Sequence, residues 1–278
     1  VPLVIEKIIR KKVFPQIQNT KVKLLMKMPG VGKKVKKRIC EQVYQAFGGN
    51  LYEVIIGGAA LNQEIESFLK DIDFPFTVGY GATECAPIIT YSDWHDFVPM
   101  SCGREVVHME VKIDSENPET VPGEILARGL NVMLGYYKND EATAQTIDKD
   151  GWYHTGDLGL MDKGGNVFIK GRSKNMLLGP NGQNIYPEEI EDKLNSMTFA
   201  MESVVVQRDG KLVGLVHPDF DEVQAMGLSR DDLQSLMEEN RVQVNANLPV
   251  YCKIAAIEIH DEEFEKTPKK SIKRYLYK

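Results

Sequence analysis

The chain has 278 residues, 42% hydrophobic and 27% charged, enough to build one large core or two of ordinary size. Its formal net charge of −6 argues against a general nucleic-acid binder, which would normally be basic. No apolar stretch approaches the ~20 residues of a membrane-spanning helix. Cys40, Cys85, Cys102 and Cys252 are too scattered for a zinc site or a disulfide framework, and a reducing cytoplasm is the simplest compartment for them.

The basic run Lys33-Lys34-Val35-Lys36-Lys37-Arg38 reads as a solvated helix face, a membrane-surface or acidic-partner patch being the alternative. Leu51–Ile56 reads as a buried strand ended by Gly57-Gly58. Asn62 can cap the helix that follows, whose Leu61, Ile65, Phe68 and Leu69 share one face. A second strand begins over Thr77–Tyr80. Strand, helix, strand implies a parallel sheet, with the Gly57 and Gly79 turns at strand ends where such sheets bind ligands.

From about Cys102 the pattern changes to short strands at Val107–Ile113, Glu124–Arg128, Leu158–Met161 and Val167–Lys170, with Asp162–Asn166 joining the last two as a hairpin. Pro187 suits the first turn of a helix, with Glu188 and Glu189 beside it and Ile190, Leu194 and Met197 as its buried stripe. Val204–Gln207 and Leu212–Val216 flank Asp209-Gly210, a strong hairpin signal. Ser229 with Asp232 forms a capping box for a helix burying Leu233, Leu236 and Met237, and Ile254–Ile259 is a closing strand. The class is α/β. An α/β sheet segment covers about 1–100, a small β-rich subdomain about 101–172, and a compact α/β domain 173–278.

Four short segments carry the chemistry: Tyr80-Gly81-Ala82-Thr83-Glu84, Trp152-Tyr153-His154-Thr155-Gly156-Asp157, Gly171-Arg172-Ser173-Lys174, and the tail Thr267-Pro268-Lys269-Lys270-Ser271-Ile272-Lys273-Arg274. Each is too short to be specific, but in this order they resemble the nucleotide-handling half of the adenylate-forming superfamily, which includes acyl-CoA synthetases, luciferases and peptide-synthetase adenylation domains. The opening Val-Pro-x-x-x-Glu-Lys-Ile and the run Gly179-Pro180-Asn181-Gly182-Gln183-Asn184-Ile185-Tyr186-Pro187-Glu188-Glu189 favour its long-chain fatty-acid–CoA ligase branch. The opening resembles a segment well inside those enzymes, and nothing upstream resembles their Gly/Ser/Thr-rich pyrophosphate loop. The chain is therefore expected to be a C-terminal portion, inactive alone.

The resemblance implies ATP (bound as AMP in the intermediate), magnesium and coenzyme A. It makes Tyr80 an aromatic plane for adenine, with Gly57, Gly58, Ala59 and Gly81 in close-approach turns around it. Thr83 hydrogen-bonds the AMP phosphate and Glu84 ligates magnesium, a hard ligand for a hard cation. Asp157 accepts from the ribose hydroxyls, and Arg172 donates to the same ribose from the other side. Lys174 is the hinge about which a mobile domain of 173–278 turns, although Asn175 stands where the family often has Asp. Gly182 lines the pantetheine path. The tail is less regular. Aligned on Thr267-Pro268, the catalytic lysine falls at Ser271, so Lys270 is preferred and Lys273 is the alternative. A carrier-protein ligase and a non-catalytic adenylate-binding module are the competing readings.

Overall fold

The computed structural model describes residues 2–17, 24–26, 28–58, 60–267 and 271–277. The chain divides into two compact units, Val1–Ile169 and Lys170–Lys278. Ala59, Lys270, and with it Pro268 and Lys269, lie outside the described residues.

The first unit opens with helical segments α1 (Pro2–Ile8), a π-helical turn (Ile9–Val13) and α2 (Phe14–Ile17), then α3 (Val31–Ala46). Helix α3 carries the basic run. Its Lys33, Lys34, Lys37 and Arg38 are exposed, Ile39 and Val43 are buried, and Lys36 pairs with Asp71 at 2.5 Å. Strand β1 (Val54–Ile56) pairs in parallel with β2 (Phe76–Val78), and α4 (Gln63–Asp71) crosses between them. The Asn62 side chain caps α4 through the amides of Glu64 and Ile65, and Ile65, Phe68 and Leu69 are buried on its inner face. The expected strand–helix–strand unit is present.

The chain then enters a three-stranded sheet of β3 (Tyr80–Gly81), β4 (Ile88–Tyr91) and β5 (Arg104–Glu105). A four-stranded sheet follows in the order β6 (Met109–Asp114), β7 (Gly123–Gly129), β8 (Tyr153–Met161) and β9 (Val167–Arg172), with helix α5 (Asp140–Thr146) between β7 and β8. Along β6 buried and exposed residues alternate strictly, the period of a strand with one covered face. Strand β8 begins five residues before the expected Leu158, because the Tyr153–Asp157 segment is itself extended. The division between the units falls inside β9.

The second unit holds a short hairpin of β10 (Leu177–Leu178) and β11 (Asn184–Ile185), helix α6 (Pro187–Asn195), and a sheet of β12 (Ala200–Arg208), β13 (Lys211–Pro218) and β14 (Ile254–Ile259). Strands β12 and β13 join through Asp209 and Gly210, both at positive φ (48° and 73°), as a tight two-residue hairpin demands. Helices α7 (Phe220–Ala225) and α8 (Arg230–Ala246) precede β14, and the Ser229–Asp232 capping box opens α8. One core joins Ile190 and Leu194 of α6, Leu233, Met237 and Val244 of α8, and Val205, Val216, Ile254 and Ile257 of the sheet. Residues one position out of phase, Val204, Val206, Val213 and Leu215, face the other way. There the tail covers them with Phe264, Ile272 and Tyr277.

Candidate active site

The site in the first unit grows from the end of the parallel strand pair. The Gly79 amide donates to the Ile56 carbonyl (2.9 Å), which brings the Gly57-Gly58 turn against the entry to β3. A Cβ at Gly57 would lie 3.2 Å from the Gly79 oxygen, and Gly58 has φ +86°, a region that favours glycine. The need is strongest at Gly81, where a Cβ would sit 2.0 Å from the Pro87 carbonyl oxygen. That carbonyl accepts from the Ala82 amide (2.8 Å), closing a tight return between β3 and β4. A 3₁₀ turn at Thr83–Cys85 occupies the return, leaving Thr83 exposed and Glu84 half-buried.

Asp157 reaches this place through a bulge. Register runs from Leu126↔His154 to Glu124↔Leu158, so Ile125 alone on β7 faces Thr155, Gly156 and Asp157 on β8. A bulge of this kind re-aims side chains, and Gly156 supplies its left-handed residue at φ +69°. Its backbone is pinned three times. Thr155 Oγ1 donates to the Ile125 carbonyl (2.7 Å), the Gly156 amide donates to Glu124 Oε1 (2.9 Å), and the Asp157 amide donates to Thr155 Oγ1 (3.0 Å). The Asp157 side chain then receives the Tyr80 hydroxyl at 2.6 Å on Oδ2, across 77 positions of sequence. Both residues are buried, each 8% exposed. Burial, and after it the Asp157 charge, push the Tyr80 phenol far above its ordinary range, so it remains a donor.

The loop after β7 clamps the Glu84 turn. Tyr136 donates its hydroxyl to Glu84 Oε1 (2.9 Å), the Met133 amide donates to the Glu84 carbonyl (2.7 Å), and Asn131 Nδ2 donates to the carbonyls of Cys85 and Ile88 (2.6 and 3.0 Å). Burial first, and the Glu84 charge next, raise the Tyr153 phenol and bring the Cys85 thiol to about 11. Glu84 thus sets a negative field among neutral donors. Among the described residues no group of three His, Cys, Asp or Glu could hold a metal by itself. A lone carboxylate still suits magnesium, which keeps its waters and shares substrate phosphates. Tyr136 was not legible in advance, since a Tyr-Tyr pair in a loop has no diagnostic spacing.

Gly57, Gly58, Tyr80, Gly81, Thr83, Glu84 and Asp157 thus belong to the first unit, while Arg172, Lys174, Gly182 and Lys273 belong to the second. Arg172 is exposed, and so is Lys174 in a 3₁₀ turn at Ser173–Asn175. The Asn175 side chain donates to Glu188 Oε1 at 2.7 Å, tying that turn to α6. Gly182, at φ +79°, turns the β10–β11 hairpin, its amide donating to the Gly179 carbonyl (2.9 Å). Lys273 Nζ lies 3.1 Å from Glu265 Oε2, within the tail itself.

His154 stands between Glu124 (Nδ1 to Oε2, 3.0 Å) and Asp148 (Nε2 to Oδ2, 3.6 Å). The Glu124 hydrogen bond, the leading cause, raises its pKa above the ordinary histidine value. A raised folded-state pKa adds stability below the unfolded value, and that stability is lost as pH rises through the folded one. Thermal melts at about pH 5.5 and about pH 8 are therefore expected to show a stabilisation at acid pH that His154→Gln reduces. An unchanged pH difference in the variant would remove His154 from the account.

Comparison with known proteins gives three kinds of likeness. Residues 3–137 match the family model described as AMP-binding enzyme. A long-chain-fatty-acid–CoA ligase of Escherichia coli O6:H1 is 37% identical over 178 residues, 62% of this chain and 28% of that protein. A 4-coumarate–CoA ligase 1 of Glycine max is 38% identical over 177 residues, 59% of this chain and 60% of that protein. The O-succinylbenzoate coenzyme A synthetase of Bacillus subtilis, solved in complex with AMP, shares the fold at a TM-score of 0.66. It is 21% identical, the match covering 86% of this chain and 49% of that one. The chain spans about a third of the length of the bacterial and yeast long-chain ligases it matches.

Proposed function

Residues 3–137 belong to the AMP-binding enzyme family, and from that premise we propose that the chain carries the adenosine- and metal-handling part of an acyl-CoA synthetase, with a fatty acid as the acyl donor. A carboxylate is a poor acyl donor, because its leaving group would be oxide. Attack of its oxygen on the α-phosphorus of ATP expels pyrophosphate and leaves a mixed anhydride. A thiolate then attacks the acyl carbon, and AMP departs with the bonding pair.

The observation that carries this reading is the Tyr80–Asp157 hydrogen bond, which joins two of the nucleotide-handling segments at the β8 bulge. Asp157 accepts from the ribose hydroxyls, Arg172 donates to the same ribose, and Thr83 takes the AMP phosphate. Glu84 holds magnesium, which neutralises charge on the phosphate oxygens. Tyr136 fixes the Glu84 carboxylate for that task. Lys270, or else Lys273, bridges the carboxylate and the α-phosphate as the bond forms. Lys174 serves as the hinge of the second unit, and Gly182 lines the thiol path. None of these segments is assigned to gripping the β- and γ-phosphates, and the chain alone is expected to show no ATP–pyrophosphate exchange.

The test is incubation of the full-length protein with ATP, magnesium and a panel of carboxylic acids, offering coenzyme A or acyl carrier protein. Long-chain acyl-CoA with matching AMP release is the expected product. A hydroxycinnamic acid consumed in its place would reassign the donor, in line with the 4-coumarate–CoA ligase likeness. Transfer to carrier protein alone would reassign the acceptor. Nucleotide binding without turnover of any acid would favour the non-catalytic module.

A further inference from the structure

We propose that Tyr80 is a positioning residue acting through its hydroxyl, which sets the Asp157 carboxylate for the ribose. This goes beyond the ring-stacking role that the sequence resemblance implies, and it rests on the ribose assignment of Asp157. Three observations carry it.

Tyr80 is 8% exposed, so little of either ring face is open to a base, while its hydroxyl makes a 2.6 Å bond to a carboxylate oxygen. That distance is in the range of charge-assisted O–H···O⁻ bonds, roughly twice as strong as neutral ones. Tyr80 itself is placed with little latitude. The next residue is Gly81, where no side chain fits against Pro87, and Tyr80 pairs with Thr90, whose hydroxyl donates to the buried Cys102 carbonyl at 2.7 Å. On the other side, the Asp157 backbone is held by Thr155. The carboxylate is thus gripped at its backbone by one strand and at Oδ2 by another. A carboxylate held in this way within a bulge cannot swing freely, and that fixes the direction in which it faces.

A ring-stacking role and a hydroxyl role separate cleanly in Tyr80→Phe, which keeps the ring and removes only the oxygen. The readout is the ratio of kcat/KM for ATP to that for 3′-deoxy-ATP in the full-length protein, measured for wild type, Tyr80→Phe and Asp157→Asn. Any general loss of fold lowers both nucleotides together and leaves the ratio unchanged. The expected result is a wild-type preference for ATP that falls about tenfold in Tyr80→Phe and at least as far in Asp157→Asn. If Asp157→Asn loses the preference but Tyr80→Phe keeps it, the positioning role is overturned while the ribose assignment stands. If both variants keep it, the ribose assignment falls, and the inference falls with it.

Discussion

Replacing Arg274 by alanine is expected to destabilise the second unit by about 3–5 kcal/mol, the cost of leaving a buried carboxylate without its cation. Glu191 is 7% exposed on the inner side of α6. Its Oε1 accepts from the Val205 amide at 2.6 Å, and its Oε2 accepts from the Arg274 guanidinium. Arg274 Nε also lies 3.9 Å from Glu188, so one tail residue serves two α6 carboxylates. Burial pushes the Glu191 carboxyl up to about 7, against the opposing pull of Arg274 and the Val205 amide. A carboxyl raised in the folded state binds more protons there than in the unfolded chain. Its contribution to stability therefore falls as pH rises from the unfolded value through the folded one.

Removing Arg274 raises that carboxyl further, so Arg274→Ala should lose stability more steeply than wild type between about pH 5 and about pH 8. Urea unfolding across that range checks both the size and the slope. Glu191→Gln in the Arg274→Ala background should recover most of the loss, because the amide oxygen still accepts from Val205 and no charge remains. Unfolding midpoints equal to wild type at about pH 8 would show that the tail is not anchored this way. The anchor bears on function because it lies just beyond the catalytic candidates Lys270 and Lys273. The Thr267 amide donates to the Ser271 carbonyl and the Lys273 amide to the Glu265 carbonyl, both at 2.8 Å, so Arg274 fastens a folded-back tail.

Asp157→Ala in the full-length protein is expected to raise the KM for ATP by roughly 10- to 150-fold, the equivalent of ~1.5–3 kcal/mol for hydrogen bonds to a charged group. The same change strips the Tyr80 hydroxyl of its acceptor in a buried place, so some stability is lost as well. Assays below the variant's melting temperature separate the two effects. An unchanged KM with full activity would end the ribose role of Asp157.

Local signals were read well from the sequence where their cause was local. The Asp209-Gly210 turn, the Asn62 and Ser229 caps, and strand Ile254–Ile259 all rest on residues within a few positions of one another. Segment Tyr153–Asp157 misled for a physical reason. The strand is expected only from Leu158, yet Tyr153–Asp157 is extended too, with a bulge that needs Gly156 and a partner, β7, some thirty residues away. The contacts that define the site span greater gaps still, Tyr80 to Asp157 and Glu84 to Tyr136, and so does the Glu191–Arg274 anchor of the second unit. No periodicity reports such pairs. The resemblance named Tyr80 and Asp157 separately but could not say that one holds the other, and it gave no hint of Tyr136.

The most direct measurement of the central claim is a calorimetric titration of the full-length protein with a non-hydrolysable long-chain acyl-adenylate. A second titration uses the same compound without its ribose hydroxyls. With Asp157 as the ribose acceptor, the intact compound binds roughly 10- to 150-fold more tightly than the stripped one. Equal affinity for the two compounds, or no binding of either, would contradict an adenylate site built on Asp157.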